Sequence, residues 1–308
     1  MQVITYDHQM SIQEELSVAL GYFDGMHIAH QQIIKEAVTH AIKHHQKSAV
    51  LTFSPNPNVF LNKITHQTLL TPLPEKIRLL RKLKVDYLIV IPFTKQMAQI
   101  EANDFLTKLL TDFKIHHVVT GFDFRFGYRG LGDVSLLRRD VRFSTQVVEK
   151  QMLAQEKIGT TQIREHLACG EVEVVTRMLG RHYRIVGHVV SGRQQGRTIG
   201  FPTANIALED EYAVPSRGVY AVLVRLNGKQ YQGMCNIGHN PTFNYNEQMT
   251  IEVNIFDFNE QIYGECIELM FVTFIRQEQR FSGVEALISQ LKADKIEIQQ
   301  FFVGNDVK

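Results

Sequence analysis

The chain predicts an α/β unit on a parallel sheet, followed by an antiparallel β-barrel and a terminal helix. Three observations carry this reading. Strand-like and helix-like patterns alternate up to about residue 180; short β-like runs separated by Gly, Asn and Pro take over beyond Arg181; and the last segment follows a helical stripe. The boundary is expected near Leu179 to Tyr183, giving domains at 1–180 and 181–308.

In order, Leu16, Val18 and Leu20 alternate with small or polar residues as a strand does. From Met26 the period becomes helical, with Ile33, Ile34, Ala37, Val38 and Ala41 on one face. Ala49–Phe53 reads as a strand, Pro74–Lys84 as a helix opened by proline, Tyr87–Pro92 as a strand, Ala102–Phe113 as a helix and His117–Gly121 as a strand. Such alternation favours a parallel sheet with ligands at the carboxyl ends of its strands. The later runs are Tyr183–Val190, Val219–Leu226, Gln230–Asn236, Thr250–Phe256 and Ile267–Phe274. Val284, Leu287, Ile288, Leu291, Ile298 and Phe302 then trace an amphipathic helix.

A length of 308 residues allows two separate cores. The 33 basic and 32 acidic residues leave a formal charge of +1, so no global basic field points to nucleic acid or an anionic membrane. Small-molecule partners are expected instead. Cys169, Cys235 and Cys266 match no metal-ligand spacing, and their odd number argues against a disulfide framework. With no apolar run long enough to span a bilayer, a cytoplasmic protein is expected. Oligomeric state is not legible.

The most informative stretch runs from Gly21 to His30, Gly-Tyr-Phe-Asp-Gly-Met-His-Ile-Ala-His. Gly21 and Gly25 bring a backbone turn to the end of a strand, and His27 and His30 are placed on one face of a first helical turn. The unpaired N–H groups and positive dipole end there suit a polyphosphate. Two further segments follow strands. Ser54-Pro55-Asn56-Pro57 sets a rigid turn, and Gly121-Phe122-Asp123-Phe124-Arg125-Phe126-Gly127 offers rings for stacking and a carboxylate, although its phenylalanines also suit a core. Gly159-Thr160-Thr161-Gln162-Ile163-Arg164 reads as an N-capped helix start with hydroxyls and an arginine fit for phosphate oxygens. Asn56 to Thr68 is long enough for a mobile lid.

The first of these motifs resembles the signature of the nucleotidyltransferase superfamily, in which both histidines contact ATP phosphates; Ala29 stands where that family has glycine. Together the four segments resemble the FMN adenylyltransferase module of bacterial bifunctional FAD synthetases, which implies a Rossmann-like fold. The resemblance puts Gly21, Phe23, Asp24, Gly25, Thr160, Thr161 and Arg164 with ATP, beside His27 and His30 as catalytic residues. It puts Pro55, Asn56, Pro57, Asp123, Phe124 and Phe126 with the flavin, and Gly159 replaces one of the family's hydroxyls.

Farther on, Gly196-Arg197-Thr198-Ile199-Gly200-Phe201-Pro202-Thr203-Ala204-Asn205 combines glycines that can wrap phosphates with neutral oxygen donors suited to a hard cation. It resembles the Pro-Thr-Ala-Asn signature of riboflavin kinases, as do Gly218–Ala221, Asn236–Gly238 with Asn240–Phe243, and Ile251–Asn254. That likeness implies Gly196, Gly200 and Pro202 on ATP, Thr203 and Asn205 on Mg²⁺, Glu252 as the base for the riboflavin 5′-hydroxyl, and Arg276 near the flavin. The expected function is therefore a bifunctional transferase: riboflavin plus ATP to FMN in the barrel, and FMN plus ATP to FAD in the first half. The alternatives are one degenerate site, with Ala29 and Gly159 pointing to the adenylyltransferase half, or a non-catalytic flavin-binding regulator.

Overall fold

A computed structural model describes residues 1–7, 12–60, 68–192, 195–240 and 248–305. The central part of the expected lid at Asn56 to Thr68, and most of the Asn240–Phe243 motif, lie outside the described residues. The chain divides into two compact units, Met1–Thr160 and Thr161–Lys308.

The first unit contains β1 (Gln2–Thr5), β2 (Ile12–Leu20), α1 (Ile28–Lys43), β3 (Lys47–Ser54), α2 (Pro57–Phe60), α3 (Leu73–Lys82), β4 (Tyr87–Pro92), α4 (Lys95–Gln99), α5 (Ala102–Asp112), β5 (Phe113–Gly121), α6 (Val134–Arg139), β6 (Ser144–Val148) and a short hairpin, β7 (Met152–Leu153) with β8 (Glu156–Lys157). Six strands form one sheet in the order β1-β4-β3-β2-β5-β6, and every pairing is parallel. The central strands are buried on both faces, which is why Val18-Ala19-Leu20 and Ala49-Val50-Leu51 read as continuous apolar runs. Alternate residues divide between two cores. Ala19, Val50, Leu88, Val90 and Val119 pack with α1 and α3 residues such as Ile34 and Leu80; Val18, Leu20, Leu51, Ile89 and Val118 pack with Phe105, Leu106 and Leu109 of α5. Strand order reverses between β2 and β5, so the crevice of a doubly wound sheet opens at Gly21 and Gly121.

The second unit starts with α7 (Thr160–Cys169), whose first residue closes the first unit, and α8 (Val172–Leu179). It continues with β9 (Tyr183–Val190), α9 (Gln195–Thr198), β10 (Ala204–Leu208), β11 (Gly218–Leu226), β12 (Lys229–Asn240), β13 (Gln248–Ile255), β14 (Cys266–Arg276) and α10 (Val284–Gly304). The six strands close as β10-β13-β12-β11-β14-β9, each pair antiparallel. Alternation along β11 sends Val219, Ala221 and Leu223 to a cluster with Ile298 and Phe302 of α10, while Tyr220 on the opposite face packs edge-on to Phe271 at 5.3 Å. Strand β10 is not anticipated by pattern. Only its ladders to β9 and β13 make Ala204–Leu208 a strand. Val284 of the expected stripe is 59% exposed at the first turn of α10. The compact division leaves most of α7 and all of α8 with the barrel. There the Ser216 N–H donates to the Leu167 carbonyl at 2.9 Å, and the Thr273 hydroxyl donates to Glu173.

Candidate active sites

In the first unit, the β2–α1 turn is held by unusual backbone geometry. Phe23, Gly25 and Met26 all have positive φ, at 55°, 85° and 44°. A Cβ at Gly21 would come within 2.9 Å of the Phe23 ring, so close packing demands glycine there. His27 is the N-cap of α1 rather than a residue of its first turn, and its side chain accepts a hydrogen bond from the His30 N–H at 3.3 Å. The two imidazoles nonetheless meet. Their rings stack with centroids 3.5 Å apart, and Phe23 stands edge-on to His30 at 5.3 Å. Burial, with His27, Lys76 and Lys157 nearby, holds His30 well below the usual imidazole range, so a neutral ring is favoured at neutral pH.

Asp24 is only 2% exposed. Its carboxylate accepts from the Thr71 N–H at 3.0 Å, and its carbonyl accepts from the Thr160 hydroxyl at 3.0 Å. These bonds tie the turn to two other loops. Beneath it lies Lys76, 5% exposed, whose ammonium donates to the Tyr22 carbonyl at 2.8 Å. Sequence reasoning passed over Lys76. Its signal was present, because Lys76, Leu79, Leu80 and Leu83 share helical spacing and the lysine therefore occupies an apolar stripe.

The aromatic segment divides. Phe126 is 5% exposed and belongs to the core, whereas Phe124 is half-buried and stacks on it at 5.8 Å. Asp123 pairs with Lys157 at 2.7 Å, and Lys157 lies 4.8 Å from the centre of the Phe122 ring. Asn56 is buried between Pro55 and Pro57. The neighbouring Phe53 and Phe60 each meet Phe93 edge-on, at 6.0 and 5.5 Å. Thr161 and Arg164 belong to α7 in the second unit.

In the barrel, strand register assembles the site. Asn205 lies opposite Glu252 across β10–β13, and Asn236 lies opposite Glu252 across β12–β13. The Thr203 hydroxyl donates to Glu252 Oε2 at 3.1 Å. Asn254, on the same face of β13 as Glu252, fixes the preceding turn by donating to the Pro202 carbonyl at 2.7 Å. At Gly196 a Cβ would run into the Phe201 carbonyl, and the Phe201 N–H donates back to Gly196 at 2.8 Å. Two cavities meet at Thr203. One, about 270 Å³, is lined by Glu252, Asn236, Arg276, Phe281 and Leu291; the other, about 290 Å³, by Pro202, Arg197, Phe258 and Tyr263. Arg276 is held by a bidentate pair with the fully buried Asp294 of α10, at 2.7 and 2.9 Å, and Gln290 donates to the same carboxylate at 2.8 Å.

A glycine turn at the switch point of a doubly wound sheet, with a barrel that gathers a hydroxyl, an amide and a carboxylate at one cavity, is the arrangement of a two-unit nucleotide-dependent transferase. A family model described as FAD synthetase matches residues 9–162, and one described as riboflavin kinase matches residues 179–302. The bifunctional riboflavin kinase/FMN adenylyltransferase of Listeria monocytogenes is 41% identical, with 98% of each chain covered. The one from Bacillus subtilis is 39% identical, with 97% of each covered. A crystal structure named Macrolide-efflux Protein from Streptococcus pneumoniae superposes with a TM-score of 0.90 at 32% identity, over 96% of this chain and 98% of that one. Efflux is that protein's name; among the described residues of this chain no helix is long and apolar enough to cross a membrane. The chain belongs to the bifunctional riboflavin kinase/FMN adenylyltransferase family.

Proposed function

We propose that the barrel phosphorylates riboflavin to FMN and that the parallel-sheet unit adenylylates FMN to FAD, each from ATP with Mg²⁺. The observation that carries this is the presence of both family matches on one chain, with Thr203 and Glu252 lining one cavity and Asn205 opposite Glu252 in the strand register. We assign residues 1–180 to adenylyl transfer and 181–308 to the kinase, although α7 and α8 fold largely with the barrel.

In the kinase reaction Glu252 takes the proton of the riboflavin 5′-hydroxyl as its oxygen attacks the γ-phosphorus of ATP, and the bond to the bridging oxygen breaks so that ADP leaves. Arg276 and the apolar wall around Phe281 and Leu291 orient the flavin in the 270 Å³ cavity, and Gly196, Gly200 and Pro202 shape the nucleotide loop. The donor set fits Mg²⁺ carried by ATP. Thr203 and Asn205 offer hard neutral oxygens, and no cluster of His, Cys, Asp and Glu able to hold a metal is found among the described residues. The ion would neutralise phosphate charge there.

In adenylyl transfer an FMN phosphate oxygen attacks the α-phosphorus of ATP and pyrophosphate leaves, so alignment and charge are the protein's task. His27 and His30 donate to the phosphates; Gly21, Phe23, Asp24 and Gly25 shape their turn; and Thr160, Thr161 and Arg164 are assigned to the same nucleotide. Pro55, Asn56, Pro57, Asp123 and Phe124 receive the flavin, with Phe126 supporting Phe124 from the core. Free thiols at Cys169, Cys235 and Cys266 support a reducing, cytoplasmic setting.

Incubation with riboflavin or FMN, ATP and Mg²⁺, followed by chromatography of the flavins, tests both reactions. FMN from riboflavin and FAD from FMN are expected. FMN without FAD would favour the second reading, that Ala29 and Gly159 mark a disabled adenylyl site.

A further inference from the structure

The most buried cation at the first site has no place in the mechanism above. Lys76 projects from the first turns of α3 into the space under the β2–α1 turn. There it donates to the Tyr22 carbonyl at 2.8 Å and to the Thr52 hydroxyl at 3.4 Å. The Thr52 hydroxyl in turn donates to the same Tyr22 carbonyl at 2.9 Å, and the ammonium sits 4.8 Å from the centre of the Tyr22 ring. One oxygen thus receives two donors at the point where the chain leaves β2 for Phe23, Asp24 and Gly25. A neutral apolar side chain would fill the space at less desolvation cost, so a lysine there calls for a reason in its charge.

We propose that Lys76 is a positioning residue for adenylyl transfer: its ammonium clamps the Tyr22 carbonyl, holds the turn that carries His27 and His30, and supplies that turn with a fixed positive field. This rests on the adenylyltransferase reading. The groups facing Lys76 are consistent with it. Asp24 attracts the ammonium from the turn itself, while His30 is kept from protonating mainly by burial, then by His27, with Lys76 and Lys157 adding to it. Lys157 is paired with Asp123, and on α3 Glu75 is taken up by Arg78 at 2.6 Å. Burial, partly offset by Asp24, pushes the Lys76 ammonium down to about 8. Its charge, and with it the positive field, is therefore present below that pH and lost above it, where the neutral amine can only donate a weaker hydrogen bond to Tyr22.

The test uses the full chain as wild type, Lys76→Arg and Lys76→Met. FAD formation from FMN is followed from about pH 6 to about pH 9.5, with FMN formation from riboflavin as the internal control. Wild-type FAD synthesis should decline on an alkaline limb near the lysine's titration, with no such limb in the kinase. Lys76→Arg should keep measurable activity and move the limb upward, because a guanidinium stays charged. Lys76→Met should lose about 10²-fold in kcat, with KM for ATP changed much less, and keep full kinase activity. Retention of wild-type kcat by Lys76→Met, or an alkaline limb left in place by Lys76→Arg, overturns the inference while leaving the adenylyltransferase reading intact. Should the Met variant fail to fold, the limb in the wild type and its displacement in the Arg variant still decide. A wild-type chain that makes no FAD overturns the reading and the inference together.

Discussion

The two units build their sites by different means. In the barrel, neighbouring strands bring Asn205, Glu252 and Asn236 face to face by register alone, and Thr203 joins them one step before β10 begins. In the parallel-sheet unit, the site is a turn pinned from several directions: by Thr71 and Thr160 on Asp24, and by Lys76 and Thr52 on Tyr22. A ladder places functional groups as a by-product of folding. A turn with three positive-φ residues must be held by side chains chosen for that purpose.

This contrast can be broken most sharply at Glu252. Glu252→Gln should lower FMN formation by roughly 10²- to 10⁴-fold and leave FAD formation from supplied FMN unchanged, as read by flavin chromatography. The reciprocal change, His27→Ala, should cost roughly 10²- to 10³-fold in FAD formation and spare the kinase. Equal loss of both activities in either variant would refute independent sites.

A third variant addresses stability. Asp294→Ala leaves the Arg276 guanidinium without its carboxylate inside the α10 interface, which should destabilise the barrel by roughly 3–5 kcal/mol. Calorimetry of the full chain should show the barrel transition lowered and the other retained.

The smallest effect concerns acid. His117 is 5% exposed, stacks on His40 at 3.6 Å, and is pushed down to about 4 by burial and by that neighbour. His44 also stacks on His40, at 4.2 Å. Because the folded state prefers the neutral ring, this contribution is complete above the unfolded value near 6.5 and is lost as pH falls toward 4, amounting to about 1–3 kcal/mol. Urea unfolding at mildly alkaline and mildly acidic pH should show the loss in the parallel-sheet unit, and His117→Gln should flatten it.

Legibility in the sequence follows the same division. The barrel residues are named through the resemblance of their motifs to riboflavin kinases, and the structure sets Asn205 opposite Glu252 and bonds Thr203 to it. The parallel sheet is legible in the alternation of strand-like and helix-like patterns, whereas the burial of Ser17 and Ala19 on the second face of β2 is not. Lys76 was not identified, since a charged residue beside Glu75 at a helix start reads as solvated until the fold shows what lies above it. Phe126 erred the other way: a motif rich in aromatics suggested ligand stacking, and the core took one of the rings. Strand β10 has a single β-branched residue, Ile206, and exists because its neighbours require it.

The Arg276–Asp294 pair ties completion of the kinase cavity to the order of synthesis. Leu287 and Leu291, which line the cavity, and Asp294, which holds its arginine, all belong to the last helix, so the cavity stays unfinished until that helix has emerged from the ribosome. The nucleotide turn of the first unit, with every pinning residue encoded before position 161, has no such wait. A ribosome stalled before residue 294 would release a chain with its first site assembled and its kinase arginine without its carboxylate.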